Sequence, residues 1–482
     1  MSKIGEWVKN KMQTWLEIVP AADGTIVLQE KYTRQTEIMR SKLWYRGDAD
    51  ELHQFFKQLG LTSGGFWASA PYGSKVRKIH SGLPAIIADT LAYIVVSDID
   101  DISAECGEWE DFEHKTDLRE KIRSAIVDTL VCGDGAFKIC IDTAVSDYPL
   151  VEFISGENVD LEQTHGVVSA IVFREYYTHK SKRYELRERY GKGFVETRLY
   201  DMNGREYPLD TVPELEGLLP YLEFDGDFML AVPLKFYNSK KYPGRGKSVF
   251  DGGRSDCFDF LDEVISQWAD ALRAGRVSKY IPESLLPRKP EDGSIARINS
   301  FGTEFVQIGA ALGDGDEGNH IQVVQPDIKY DAFVSSYTHA MLMCLQGLVS
   351  PATLGIDVGK MASAEAQREK KDVTGNTRNT ITGELERVLP CLIDMILKAY
   401  DLMCGKAPGE YEANVSFGEY GAPDFDSRIE TIGKAAQYGI MSVEKQVDEL
   451  WGSSLDDNEK AAEVERIKAQ KGVEKVPEPL IM

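Results

Sequence analysis

Residues 258–272 read FDFLDEVISQWADAL and residues 331–349 read DAFVSSYTHAMLMCLQGLV, and these two stretches decide the fold. In the first, Phe258, Leu261 and Trp268 recur at the three- and four-residue spacing that brings side chains onto one face of a helix. The second stretch has the same periodicity. Each stretch therefore predicts an amphipathic helix whose apolar face is buried against a partner.

The chain between and after these helices follows a different pattern. Prolines interrupt the intervening segment, in which residues 305–308 and 321–324 are predicted to be short strands. Residues 350–362 then form a predicted loop, and Ser363 is placed to cap a long helix that continues to residue 404. This helix is polar at first and amphipathic later, and Pro390 predicts a kink in it.

The rest of the chain mixes helices and strands. Residues 4–16 predict an amphipathic helix, which we expect to dock on its own or a neighbouring subunit rather than on a membrane surface. Residues 150–236 predict an antiparallel meander, because short β-rich runs alternate with turns at 179–181, 191–193 and 203–204. The C-terminal part predicts three helices. The fold class is therefore α+β, without the alternating units of a doubly wound nucleotide-binding fold.

Composition limits the possible functions. The chain has 482 residues and a formal net charge of −23, which argues against a protein that clamps nucleic acid through many phosphate contacts. The same charge is compatible with a conduit through which DNA slides. The seven cysteines form no CxxC pair and are expected to be reduced, buried thiols. The longest apolar runs are too short and too interrupted to predict a membrane span.

No motif predicts an enzyme, a metal site or a cofactor. Gly246-Lys247-Ser248 resembles the end of a phosphate-binding loop. Such a loop requires a glycine at position 241, and this chain has Lys241 there. The acidic glycine loop at 314–319 lacks calcium-loop spacing and predicts an exposed turn. The acidic run at 98–113 predicts a solvated face, with a metal-dependent nuclease site as the alternative.

Basic side chains cluster on the predicted loop and on the polar first half of the long helix. They are Lys360, Arg368, Lys370, Lys371 and Arg378. One interpretation is a solvated helix face. The other is that some of these side chains point into a channel and touch the phosphates of passing DNA.

From about Tyr45 to Gly472 the chain resembles the portal proteins of tailed double-stranded DNA bacteriophages that infect Gram-positive hosts. The order of the similar segments, more than any single motif, carries the resemblance. These segments are Tyr45-Arg46-Gly47-Asp48-Ala49-Asp50-Glu51-Leu52, Gly246-Lys247-Ser248 followed by residues 262–266, residues 324–329, residues 348–355, Ser363-Ala364-Glu365-Ala366, residues 438–442 and residues 455–460.

The resemblance implies a division of the chain into the parts of a portal subunit, with a mixed α/β wing, a two-helix stem, a small α/β clip and an α-helical crown. It assigns residues 1–245 to the wing, 246–277 to the first stem helix, 278–330 to the clip, 331–349 to the second stem helix, 350–362 to the tunnel loop, 363–404 to the long wing and tunnel helix, and 405–482 to the crown and C-terminal tail.

The resemblance also implies a function. Portals are dodecameric rings at one capsid vertex of the virion, assembled in the host cytoplasm, and double-stranded DNA is packaged and ejected through them. The implied partners are the terminase large subunit, the major capsid and scaffolding proteins, and a head-completion or adaptor protein. Two alternatives stay open: another ring-forming virion or baseplate protein, and a metal-dependent nucleic-acid-processing hydrolase.

Overall fold

The computed structural model describes residues 18–20, 26–28, 33–59, 67–69, 77–104, 106–107, 109–275, 278–282, 305–308, 322–324, 327–356, 364–418, 425–451 and 457–470. The chain divides into two compact units, Met1–Phe417 and Gly418–Met482. The predicted helix at 4–16 and the acidic glycine loop at 314–319 lie outside the described residues, as does Lys360.

The described part of the first unit contains eight helices, and the patterns at 258–272, 331–349 and 363–404 predict the last three of them. The helices are α1 (Arg34–Arg46), α2 (Ala49–Gln58), α3 (Leu83–Ser97), α4 (Trp109–Thr116), α5 (Leu118–Cys132), α6 (Arg254–Ala274), α7 (Tyr330–Leu345) and α8 (Ala364–Met403). No helix in the described part of the chain combines the length and the apolar character that a membrane span needs.

The strands of the first unit are short, apart from those of the meander. They are β1 (Ile18–Pro20), β2 (Ile26–Leu28), β3 (Ile99–Ala104), β4 (Asp134–Cys140), β5 (Leu150–Ser155), β6 (Val159–Thr164), β7 (Val167–His179), β8 (Lys182–Gly191), β9 (Phe194–Asp201), β10 (Glu206–Tyr207), β11 (Tyr221–Glu223), β12 (Ala231–Lys235), β13 (Ser278–Pro282), β14 (Phe305–Ile308), β15 (Gln322–Val324) and β16 (Ala413–Phe417).

The largest sheet confirms the predicted meander between residues 159 and 223, whereas β5 and β12, which the prediction also covered, pair with β4 in another sheet. Its strand order is β10-β9-β8-β7-β6, all pairs are antiparallel, and β11 also pairs with β9. The turns into β7 and β8 each hold two consecutive residues at positive φ, namely His165 and Gly166 in the first and Lys180 and Ser181 in the second. Such turns match the right-handed twist of the strands that they join.

Three smaller sheets complete the described topology, besides the β1-β2 pair. The order β12-β4-β5 is antiparallel, and β16 pairs with β3 across a long stretch of sequence. In the third sheet β13 is central, parallel to β14 and antiparallel to β15. Together the helices and sheets make a mixed α+β protein, as the sequence predicts.

The break between α1 and α2 has a local explanation in the sequence. Gly47 has a φ of 73° and its N–H donates to the carbonyl of Leu43, which ends α1. The side chain of Asp48 then accepts from the N–H groups of Asp50 and Glu51 and begins α2. One residue ends a helix and the next starts another, so the chain turns sharply here.

The main core forms where α8 crosses α3, β4 and β12. Ile381, Leu385, Leu392 and Ile396 of α8 are fully buried at helical spacing, and Phe137 of β4 is fully buried in the same core. The amphipathic second half of the long helix is therefore confirmed. Pro390 lies inside α8, which continues past it to Met403.

The two deciding stretches form the helix pair α6 and α7, which pack against each other, with β13, β14 and β15 between them in sequence. The second helix ends earlier than predicted, at Leu345 instead of residue 349. Gln346 leaves the helical conformation with a ψ of 122°, and Gly347 adopts a φ of 73°. A left-handed glycine stops the helix although the apolar pattern continues to Val349.

The second unit is helical within its described residues. It contains α9 (Phe425–Gln437), α10 (Val443–Trp451) and α11 (Asp457–Gln470). Gly439 lies just after α9 with a φ of 68°, the left-handed conformation in which glycine often ends a helix. Val447 is buried, and Lys460 of α11 pairs with Asp448 of α10.

All seven cysteines are free. Cys132 and Cys344 are buried, and burial raises the pKa of each to about 12. Cys391 and Cys404 are exposed, so the expectation of burial is wrong for these two. Cys391 lies on the solvent-facing side of α8, and Cys404 directly follows the C-terminal end of this helix. At neither position does the helical pattern of apolar residues require burial.

Phe258 of α6 provides a test of the packing. It is fully buried between Trp44 and Phe250, with ring centroids 6.1 and 5.5 Å away. We expect Phe258→Ala to lower the free energy of unfolding by about 3–5 kcal/mol, because it leaves a cavity. Phe260→Ala, which is 43% exposed on the same helix, is the matched control and should cost less than about 1 kcal/mol. Equal losses in urea denaturation would contradict this packing.

Candidate functional site

Polar contacts at the helix ends fix the geometry of the helix pair. The guanidinium of Arg254, in the first turn of α6, donates to the carbonyl of Cys344 at 2.7 Å and to that of Gln346 at 3.2 Å. A cation at the C-terminus of α7 satisfies carbonyls that lack helical partners and opposes the negative end of the helix dipole. Farther along α6, the ring of Trp268 stacks against Phe333, with 6.2 Å between centroids.

The entry to the predicted tunnel loop is fastened to α8. Thr374 is fully buried and its hydroxyl accepts from the N–H of Ser350 at 2.9 Å. Thr377 is also buried and donates to the carbonyl of Leu348 at 2.7 Å. Residues 351–354 then form a single 3-10 turn. The first part of the predicted loop is therefore ordered by two threonines of the long helix.

The structure separates the predicted channel residues into two groups. Arg368, Lys370 and Lys371 lie in the first part of α8, where the structure describes the backbone alone. Arg378 is 7% exposed, and its Nε donates to the Asp98 carboxylate at 3.0 Å. Arg378 is thus part of an internal ion pair that links α8 to the end of α3.

The acidic run at 98–113 is only partly a solvated face. Asp98 pairs with Arg378, and Glu113 pairs with Arg119, whereas Asp100 and Asp101 are exposed on β3. The strand itself is held by β16. No group of three or more His, Cys, Asp or Glu side chains suited to a metal ion occurs among the described residues.

A buried carboxylate fixes the segment that leads into the helix pair. Asp134 is 2% exposed and accepts from Arg34 Nη2 at 2.7 Å, from Arg245 Nε and Nη2 at 2.9 Å each, and from the N–H of Gly246 at 2.7 Å. Both guanidinium groups also donate to the carbonyl of Gly156. We call these five residues the Asp134 junction.

The Asp134 junction explains Gly246-Lys247-Ser248 without a nucleotide. A Cβ at Gly246 would overlap the carbonyl oxygen of Gly133, so only glycine fits there. Ser248 donates to the carbonyl of Leu130 at 3.2 Å and accepts from the N–H of Phe250 at 3.0 Å. Residues 246–248 are therefore fastened to β4 and to the end of α5.

A second set of buried carboxylates holds residues 67–69 and 77–82 against α6. Asp259 accepts from the N–H groups of Trp67 and Ala68 at 2.5 and 2.8 Å. Asp262 contacts His80 Nδ1 at 2.5 Å and accepts from the N–H of Ser81 at 2.8 Å. We call this set of contacts the α6 latch.

Sequence reasoning missed the Asp134 junction and the α6 latch, although both left a signal. Asp134 stands at the start of an apolar strand, and Asp259 and Asp262 stand beside Phe258 and Leu261 on the apolar side of α6. A carboxylate in such a position must find a partner, because an unpaired buried charge is costly. The identity of the partners, up to about two hundred residues away in sequence, left no signal.

The Asp134 junction should contribute strongly to stability. We expect Asp134→Asn to lower the free energy of unfolding by about 3–5 kcal/mol, because it leaves two partly buried guanidinium groups without their counter-charge. Asp147→Asn, at an exposed position of the same unit, is the control and should change it by less than about 0.5 kcal/mol. Denaturation curves of the two variants that coincide would contradict the role given to Asp134.

The α6 latch should depend on pH. Burial alone lowers the pKa of His80, but the hydrogen bond and the charge of Asp262 together raise it above its ordinary value. Stability from such a histidine is present below its unfolded pKa of about 6.5 and is lost as the pH rises through the folded pKa. Burial raises the pKa of Asp259 to about 6, despite the two N–H groups that it accepts from. The stability that protonated Asp259 contributes is likewise lost as the pH rises, here between about 4 and 6.

We therefore expect residues 77–82 to be less protected from hydrogen exchange at about pH 8.5 than at about pH 6, after correction for the intrinsic exchange rate. His80→Gln keeps a hydrogen-bonding side chain that does not titrate, so the change above pH 6 should disappear in it. Protection that is constant across this range in the unaltered protein would show that the latch does not titrate as argued.

The chain is similar to two solved structures of a GTA particle neck. The neck of the native GTA particle, computed with C12 symmetry, shares 11% identity, and the match covers 80% of this chain and 89% of that chain with a TM-score of 0.36. The neck of the empty GTA particle, computed with C6 symmetry, shares 12% identity, and the match covers 78% of this chain and 96% of that chain with a TM-score of 0.34. Both TM-scores are below 0.5, so this likeness assigns no family. No protein-family model and no curated protein matches the chain.

Proposed function

We propose that this chain is the subunit of a phage portal, a closed ring through which double-stranded DNA is packaged and ejected. The observation that carries the proposal is the order of elements from α6 to α8. Along the sequence, a small three-stranded sheet lies between two helices that pack against each other. A short turn then leads into a helix of 40 residues. This is the order of stem, clip, stem, tunnel loop and long helix in the family that the sequence resembles.

The helix pair leaves apolar surface uncovered, which supports a ring. Phe260 and Leu272 of α6 are 43% and 54% exposed, and Leu342 and Met343 of α7 are 39% and 50% exposed. Leu342 and Met343 also line an apolar groove of about 410 Å³ together with Pro351. Exposed apolar surface of this extent favours a protein partner. Neighbouring copies supply that partner when head-to-tail contacts close into a ring.

The charge of the chain fits a conduit. With a net charge of −23, most of the surface repels duplex DNA, so the duplex is not held by many phosphate contacts. We assign the few contacts with phosphate to Lys360, Arg368, Lys370 and Lys371. Arg378 is excluded from this set because its guanidinium is buried against Asp98.

The remaining parts of the proposal follow the resemblance. Residues 1–245 would form the wing and residues 405–482 the crown, in a ring of twelve copies at a capsid vertex. The ring would bind terminase at one stage and a head-completion protein at another, and capsid and scaffolding proteins would surround it. The portal itself would carry out no chemical reaction.

The mass of the assembled species tests the proposal. We expect a single species of twelve chains, or a closely related number, in native mass spectrometry of the purified protein. A monomer or dimer at every concentration would contradict it. So would magnesium-dependent nuclease activity that is lost in Asp101→Asn, since that result would support the hydrolase alternative.

The channel contact has its own test. We expect Lys360→Glu to leave the assembled mass unchanged and to alter DNA packaging or retention by about twofold or more, because it replaces a phosphate contact by a repulsion. Lys57→Glu, an exposed lysine of α2, is the control and should have no effect. Normal packaging and retention with Lys360, Arg368, Lys370 and Lys371 all neutralised would show that these residues do not contact DNA.

A further inference from the structure

Five consecutive apolar residues are exposed beside the largest sheet. Leu218, Leu219, Tyr221 and Leu222 are 45%, 61%, 53% and 46% exposed, and Pro220 between them is exposed too. Single exposed apolar side chains are ordinary, but a continuous run of this kind marks a surface that another molecule covers.

The backbone at this run is also open. β11 pairs with β9 alone among the described strands, with Leu222 opposite Val195. Pro220 and Phe224 bond toward β9, so by the alternation of an antiparallel ladder the backbone groups of Tyr221 and Glu223 point away from it. The backbone of Pro220 faces β9. The missing N–H of this proline therefore leaves no gap among the backbone groups of the open edge.

Acidic side chains surround the run. Glu216, Glu223 and Asp225 are exposed, and none of them forms an ion pair with any residue that the structure describes. Asp227 is exposed as well and pairs with Lys192. We call residues 216–225 the acidic edge. Its apolar centre and negative rim select a partner that is basic and partly apolar.

The opposite end of the same sheet has this complementary chemistry. The turn between β7 and β8 presents Lys180, Lys182 and Arg183, all exposed, and the two lysines form no ion pair within the described part of the chain. Met202, in the turn after β9 at this end, is 57% exposed. We call Lys180, Lys182, Arg183 and Met202 the basic tip.

One chain cannot bring its own tip and edge together. Every residue of β8 from Tyr184 to Gly191 is paired with β9, so the ladder is continuous between the two ends. Seven residue steps at about 3.4 Å hold these ends about 24 Å apart. Two complementary surfaces at opposite ends of a rigid sheet are the requirement of a head-to-tail contact between identical subunits.

We propose that the basic tip of one copy docks on the acidic edge of the next copy around the ring. Lys180, Lys182 and Arg183 face the carboxylates, and Met202 covers part of the run 218–222. The inference rests on the proposed function in that it requires a ring, but it names a contact between the meander sheets that is separate from the helix pair.

Charge exchange between the two surfaces tests the contact. The tip variant carries K180E, K182E and R183E, and the edge variant carries E216K, E223K and D225K. We expect each variant alone to need about tenfold more protein to assemble at low salt, because like charges then face each other. A chain with all six changes should assemble as the unaltered protein does. An equal mixture of the two variants should also assemble, since each basic surface again meets an acidic one.

The controls separate this inference from the ring itself. All changed side chains are exposed. Arg183 lies 4.4 Å over the ring of Tyr176, an exposed contact worth about 0.5–1 kcal/mol, so the melting temperature of the variants should fall by a few degrees at most. K57E with D147K provides exposed charge reversals elsewhere in the unit. If the unaltered protein forms rings and both variants form them equally well, the tip–edge contact is wrong and the ring stands. If the unaltered protein forms no ring, the proposed function itself fails.

Discussion

The carboxylate of Asp134 is the contact on which the rest of the first unit depends. It lies at the start of β4, buried, and binds Arg34 of α1 and Arg245 of the segment that leads into α6. Burial lowers the pKa of Arg34, and the charge of Asp134 offsets part of this cost. A buried ion pair of this kind adds little net stability compared with apolar packing, but removing one partner is very costly. Its effect is to fix one arrangement of helix, sheet and connecting segment.

From this junction a series of polar contacts extends along the chain toward the predicted loop. Asp259 and Asp262 hold α6 against residues 67–69 and 77–82, Arg254 joins α6 to the end of α7, and Thr374 and Thr377 join the exit of α7 to α8. The carbonyls at the C-terminal end of α7 are thus satisfied within the subunit, while apolar side chains on the faces of α6 and α7 are left uncovered. A unit whose apolar faces are open in this way is suited to assembly with copies of itself.

Much of the fold follows from periodicity and turn chemistry. The alternation of residues 150–236 predicts the meander, and helical spacing predicts α6, α7 and the second half of α8. In each case the pattern that indicates the element lies within the segment itself. The prediction failed where a distant partner or a single backbone angle decides the outcome. Gly347 ends α7 early, and Cys391 and Cys404 are exposed. Arg378 forms an ion pair with Asp98, which lies 280 residues earlier in the chain. A pattern of residue types shows that Arg378 is charged and on a helix, but not which side of the helix faces the core.

The central claim is that copies of this chain close into a ring with an opening for duplex DNA. Electron microscopy of the purified assembly tests it most directly, because averaged end-on views show both the rotational symmetry and the central hole. The account predicts a closed ring of about twelve subunits whose hole is wide enough for a double helix. An open filament, a closed particle without a central hole, or a field of single subunits would contradict it.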